Sequence, residues 1–124
     1  MALSIKKPEA IARINRLDRE AGLDDRNTNF ANINARKDVW WLDIPLSKIS
    51  RAGIAEINLL LYDQRSDELH FLRVPVDYMR ANLGRLVVRE DKAVISLELS
   101  ADRTRLFQDV RPKSGGVQFR QFKL

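Results

Sequence analysis

Apolar residues recur at helical spacing at the start of the chain. Ala10, Ile11, Ile14, Leu17 and Ala21 share one face, while Glu9–Arg13 and Arg16–Glu20 stand i,i+4 on the other. Pro8 suits a first helical turn and Gly22 a C′ position, so an amphipathic helix is expected over 7–22. From residue 38 the period becomes two. Val39–Ile44 reads as a strand closed by Pro45, with Trp40, Leu42 and Ile44 on one face and Val39, Trp41 and Asp43 on the other. Glu56–Tyr62 and Glu68–Val74 flank the polar run Asp63–Asp67 as a hairpin. Leu86–Arg89 and Ala93–Leu99 form a second hairpin around Glu90, Asp91 and Lys92. Ser47 opens a stretch that reads as a short helical turn or a loop, and Asp77 caps a short helix ending near Leu83 and Gly84.

Two segments complete the pattern. Residues 23–37 carry Asn27, Asn29, Asn32 and Asn34, which favour turns, and read as a polar connection anchored by Phe30 and Ile33. In the last segment Leu106–Val110 and Val117–Phe122 alternate as strands, turned by Lys113-Ser114-Gly115-Gly116. The expected fold class is α+β. It is a mostly antiparallel sheet of about six to seven strands, with an N-terminal amphipathic helix and one short second helix packed on it. A length of 124 residues suits one domain, 1–124, ending in a basic C-terminal β-hairpin over about 103–124.

Composition narrows the chemistry. There is no Cys and a single His, which removes disulfide frameworks, Cys-ligated metals, thiol nucleophiles and multi-His sites. The longest apolar runs, such as Leu59–Tyr62, are far short of a membrane helix, and Met1–Lys7 contains no apolar leader core. A cytoplasmic protein is the expectation. Charge is unevenly placed: residues 1–102 hold sixteen Lys and Arg against sixteen Asp and Glu. Residues 103–124 hold Arg103, Arg105, Arg111, Lys113, Arg120 and Lys123 against Asp109 alone, so the whole net charge of +5 lies there. Concentrated cations attract polyanions, and the interleaved Phe107, Phe119 and Phe122 offer faces on which unpaired bases stack. Gly115-Gly116 would let backbone N–H groups approach an anion. The alternative is a solvated edge hairpin whose phenylalanines are core and whose charges block edge pairing. Trp41 shares a face with Asp43, which makes it a stacking platform or a protein-contact anchor if it is not core.

Phosphate loops, dinucleotide fingerprints and nucleophile elbows are absent from the sequence. A carboxylate site for magnesium remains open, since it needs only one or two acids and water. Asp63 at a strand end, followed by Glu68-Leu69-His70 on the next strand, has the outline of a restriction-endonuclease-like core, with His70 where such cores carry Lys. The expectation is therefore a small accessory protein that binds DNA or RNA without catalysis or cofactor. Its site would be Arg103, Arg105, Arg111, Lys113, Arg120, Lys123 and Trp41. One alternative is a module docking an acidic protein partner. Another is a metal-dependent nuclease using Asp63, Glu68 and His70 with magnesium. A homodimer through an edge strand is also expected.

Overall fold

The structure, a computed structural model, describes residues 3–124; Met1 and Ala2, part of the stretch read above for a leader, lie outside them. Nine regular elements follow one another. They are α1 (Lys7–Leu17), β1 (Thr28–Asn32), β2 (Val39–Pro45), α2 (Ser47–Ser50), β3 (Glu56–Asp63), β4 (Glu68–Pro75), α3 (Val76–Ala81), β5 (Val87–Arg89) and β6 (Val94–Ser100). The strands form two three-stranded sheets, ordered β1-β3-β4 and β2-β6-β5, and not one continuous sheet. The α+β class stands; β1 pairs parallel with β3, and the other three strand pairs are antiparallel.

The sheets face each other across the main core. Trp40, Leu42 and Ile44 of β2 and Ile95, Leu97 and Leu99 of β6 meet Ile57, Leu59, Leu61, Leu72 and Val74 of the first sheet. The first sheet is covered on its other side by α1, whose Ala10 and Ile14 pack with Leu60 and Phe71. With both of its faces buried, β3 reads as a continuous apolar run from Ile57 to Tyr62, broken only by Asn58. Among the described residues no helix is long and apolar enough to cross a membrane.

Three expectations change. The first helix stops at Leu17, leaving that side chain 85% exposed, because Asn15 clasps the Leu23 backbone. Its Nδ2 donates to the Leu23 carbonyl at 2.9 Å and its Oδ1 accepts from the Leu23 N–H at 3.0 Å, so residues 18–23 fold back. Ala21 and Leu23 thus reach the same small core as α1 without being helical. The Asn-rich connection contains a strand, β1, whose backbone groups find partners on β3 and whose buried Thr28, Asn29 and Ala31 hide any apolar alternation.

The C-terminal strands are reduced to single antiparallel bridges, Leu99–Asp109, Gln108–Gln118 and Leu72–Lys123. Phe107 has φ +63°, and short 3₁₀ turns occupy Arg103–Arg105 and Arg120–Phe122. A positive φ at a bulky residue breaks the pleat, so no ladder propagates. The tail still follows the sheets: Val110 N–H bonds the Glu98 carbonyl beside β6, and Leu124 N–H bonds the Phe71 carbonyl on the outer edge of β4.

Candidate nucleic-acid interface

The six C-terminal cations stand at three places on this irregular tail. Arg103 and Arg105 lie in a 3₁₀ turn whose Asp102 carboxylate accepts from the Thr104 N–H and hydroxyl, both at 3.1 Å; those bonds hold its pKa below the ordinary value. Arg111 and Lys113 lie in the following loop. Asp109 Oδ1 fixes that loop by accepting from the backbone N–H of Glu98 at 3.1 Å and of Arg111 at 3.2 Å. Arg120 opens the last 3₁₀ turn and Lys123 follows it, next to β4. Arg111 is half-buried and the other five are exposed. Among the described residues none of the six makes an ion pair.

Asp109 is the only acid of the segment, and it is 1% exposed. Its Oδ2 has no partner among the described residues, and burial pushes the carboxyl pKa up against the pull of the Glu98 and Arg111 N–H groups. The acid that offsets one charge in the sequence therefore stands inside the fold, and the tail's surface carries cations alone. Arg85, which the sequence did not single out, joins Arg111 and Lys113: its Nη2 donates to the Gly115 carbonyl at 2.7 Å, and the Gly115 N–H donates to the Arg85 carbonyl at 2.7 Å. A Cβ on Gly115 would stand 2.8 Å from the Arg85 side chain, so glycine serves close packing there. The expected anion cradle is not formed, since the Gly115 N–H serves Arg85 and the Gly116 N–H reaches Ser114 Oγ at 3.5 Å.

The aromatic residues divide differently from the expectation. Phe107 and Phe119 are 0% exposed, and Phe122 packs edge-on against Tyr78 with ring centroids 4.7 Å apart. These rings anchor the tail to the core; Phe107 and Phe119 present no free stacking face, and Phe122 is partly buried. Trp40 is core, and Trp41 on the outward face of β2 is 43% exposed. Its Nε1 donates to Glu98 Oε1 at 2.6 Å, and Lys37 Nζ lies 5.2 Å from its ring centroid.

Asp63 and Glu68 face each other in register, two positions from the Leu61–His70 pair. Their surroundings are structural. Both Asp63 oxygens accept from Arg65, at 2.9–3.0 Å, and these bonds hold the Asp63 pKa below the ordinary carboxylate value. Arg65 also reaches Asp38 at 2.8 Å and so ties the β3–β4 turn to the start of β2. The His70 ring stands 5.6 Å from Trp40 and 5.2 Å from Phe107, edge to face with each. No group of three His, Asp or Glu poised to hold a metal is found among the described residues.

Burial, reinforced by Lys123, lowers the His70 pKa below its usual 6.5, against smaller opposing effects of Glu68 and Asp63. A depressed histidine pKa favours the neutral ring in the folded state. Its stabilising contribution is complete above the unfolded pKa and is lost as pH falls through the folded one. Stability is expected to decline below about pH 6.5, and His70→Phe should flatten that decline. Urea melts across pH 5 to 8, at roughly half-unit steps, check this; equal pH dependence in both proteins contradicts it.

Comparison with protein-family models, with curated proteins and with solved structures finds no match to this chain.

Proposed function

We propose that this protein binds nucleic acid non-catalytically, in the cytoplasm, through the surface of residues 103–124 with Arg85 at its margin. One observation carries the reading: six cations within 22 residues make no ion pair among the described residues, while the one acid among them is buried. A cation already paired to a carboxylate gives little to a phosphate, whereas an unpaired one releases a counterion when it binds. Stacking is a minor contribution. Trp41 is the one exposed aromatic ring among the large apolar side chains, and Lys37 already lies over it. Contacts to the phosphate backbone therefore dominate, and sequence preference is weak.

The direct test is a mobility shift of short duplex DNA and RNA, run beside a pull-down from nuclease-treated extract. A shift that weakens with salt supports the reading. No shift, with an acidic protein retained after nuclease treatment, replaces it by the partner-docking module. Magnesium-dependent cleavage that vanishes in both Asp63→Ala and Glu68→Ala replaces it by the nuclease.

A second feature favours self-association. The tail meets the outer edge of β4 at Phe71, whose carbonyl accepts from Leu124. Backbone groups two residues apart share an edge, so the Leu69 N–H and carbonyl point the same way. Leu17 and Leu124, 85% and 66% exposed, flank this stretch, and Asp18, Glu68 and Lys123 stand beside it without ion-pair partners among the described residues. Light scattering is expected to give twice 14.3 kDa; a mass of 14.3 kDa across a wide concentration range rejects the dimer.

A further inference from the structure

Away from the tail, a cleft of about 410 Å³ opens between the Asp24–Asn27 loop and α2, floored by Ile54 and Ile57 at the start of β3. Both walls are fixed. In the loop, Asp24 Oδ1 accepts from the N–H groups of Arg26 and Asn27, each at 2.9 Å. Asp25 is held by Lys7, whose Nζ lies 2.8 Å from its carbonyl oxygen and 3.1 Å from its Oδ1. Opposite, Arg80 Nε donates to the Ile49 carbonyl at 2.6 Å and pins α2. The loop acids are thus engaged locally, while Arg26, Lys48 and Arg51 make no ion pair among the described residues.

Lys48 is the best-defined of the three. Its Nζ donates to Asn29 Oδ1 at 3.1 Å, and Asn29 is only 8% exposed. Behind it, Asn29 Nδ2 reaches the Asn58 carbonyl at 3.4 Å, and Asn58 Nδ2 donates to the Asn27 carbonyl at 3.0 Å. Arg73 Nε donates to Asn58 Oδ1 at 3.2 Å. Burying two amides is costly unless they are bonded, and a fully bonded network holds its members rigidly. Here the network ends on an ammonium group with three N–H donors, one used by Asn29 and two left for the cleft.

We propose that this cleft binds a small phosphomonoester of mononucleotide size, its phosphate between Lys48, Arg51 and Arg26 and its apolar body on Ile54 and Ile57. The volume lies within the range of small-molecule sites, about 300–1,000 Å³. Two guanidinium forks and one ammonium match the oxygens of a phosphate. Glu56, exposed in the cleft lining and without an ion-pair partner among the described residues, is an acceptor for a hydroxyl or amino group of the ligand body and disfavours an extended polyanion. Burial and the nearby Lys7 push the Lys48 pKa below the ordinary lysine value, against smaller opposing effects of Asp25 and Asp24, and the charge of a bound dianion would favour the protonated form.

Calorimetric titration of the full chain with adenosine 5′-monophosphate, adenosine and inorganic phosphate in separate arms tests this. One saturable site with Kd below about 1 mM is expected for the monophosphate, weaker binding for phosphate, and none for adenosine. Lys48→Ala and Arg51→Ala should each weaken the monophosphate by about tenfold or more, with Lys48→Arg retaining part of the affinity. Alanine at Arg111, Lys113, Arg120 and Lys123 should leave it unchanged, which separates this site from the nucleic-acid surface. No saturable heat overturns the proposal, as does binding indifferent to Lys48→Ala and Arg51→Ala in variants with wild-type circular dichroism. Equal affinity for inorganic phosphate overturns the seat on Ile54 and Ile57.

Discussion

Alanine in place of Arg111, Lys113, Arg120 and Lys123 together is expected to remove most of the chain's affinity for nucleic acid and to leave the fold intact. Arg111 is half-exposed and the other three are fully exposed; none of them makes an ion pair among the described residues. The bonds that shape the tail at Arg111, Arg120 and Lys123 come from their backbone N–H groups, which alanine retains. Surface substitutions of this kind change stability by about 0.5 kcal/mol or less each. Each lost phosphate contact removes about 0.9 from the log–log salt slope, so Arg103 and Arg105 alone leave a slope near −2 on duplex. Removing Arg13, which is held between Glu9 and Asp67, together with Arg16 on the same helix, should do far less. Fluorescence anisotropy with a labelled duplex, paired with urea melts, measures both effects. Affinity that survives the fourfold change would mean that the tail's cations only solvate an edge.

The largest loss of stability is expected at Phe107. The side chain is 0% exposed and packs on Trp40 and His70 with ring centroids 5.7 and 5.2 Å away. Phe107→Ala should cost about 3–5 kcal/mol, a large part of the margin of a domain this size. The backbone adds a finer test. At φ +63° any residue but glycine is strained, and glycine relieves about 1 kcal/mol of that strain. Phe107→Gly should therefore be more stable than Phe107→Ala, although it is the smaller side chain. Urea melts with equal slopes decide the order; a less stable glycine variant contradicts the backbone account. Because Phe107 ties the tail to the core, both variants should also speed hydrogen exchange at the Asp109 and Phe119 amides, which bond to Val117 and Phe107 carbonyls.

Strand β2 was legible because its period-two pattern coincides with one buried face. Trp40, Leu42 and Ile44 point inward and Trp41 and Asp43 outward, as the alternation requires. The Thr28–Asn32 strand was not legible. It is buried through Thr28, whose hydroxyl donates to the neighbouring Asn27 Oδ1, and Asn29, which is satisfied by Lys48 and the Asn58 backbone, distant partners that no local pattern announces. The early end of α1 has the same origin, since the Asn15 clasp on Leu23 depends on where the chain returns. In the tail, alternation put Val117 and Phe119 on one face and packing buries both, while the positive φ of Phe107 turned the expected ladder into isolated bridges. The six cations were plain in the sequence. The burial of Asp109 and the contact of Arg85 with Gly115, which decide what the tail's surface presents, arise from packing between distant segments.

The salt dependence of binding by the intact chain tests the central claim most directly. Affinity for a short duplex, measured by anisotropy from low to physiological salt and beyond, should fall with a log–log slope of about −4 to −5 if four to six of the tail's cations meet phosphates. Single strands should give a shallower slope for the same contacts. A slope near zero, or no measurable binding at low salt, would contradict an electrostatic nucleic-acid surface on residues 103–124.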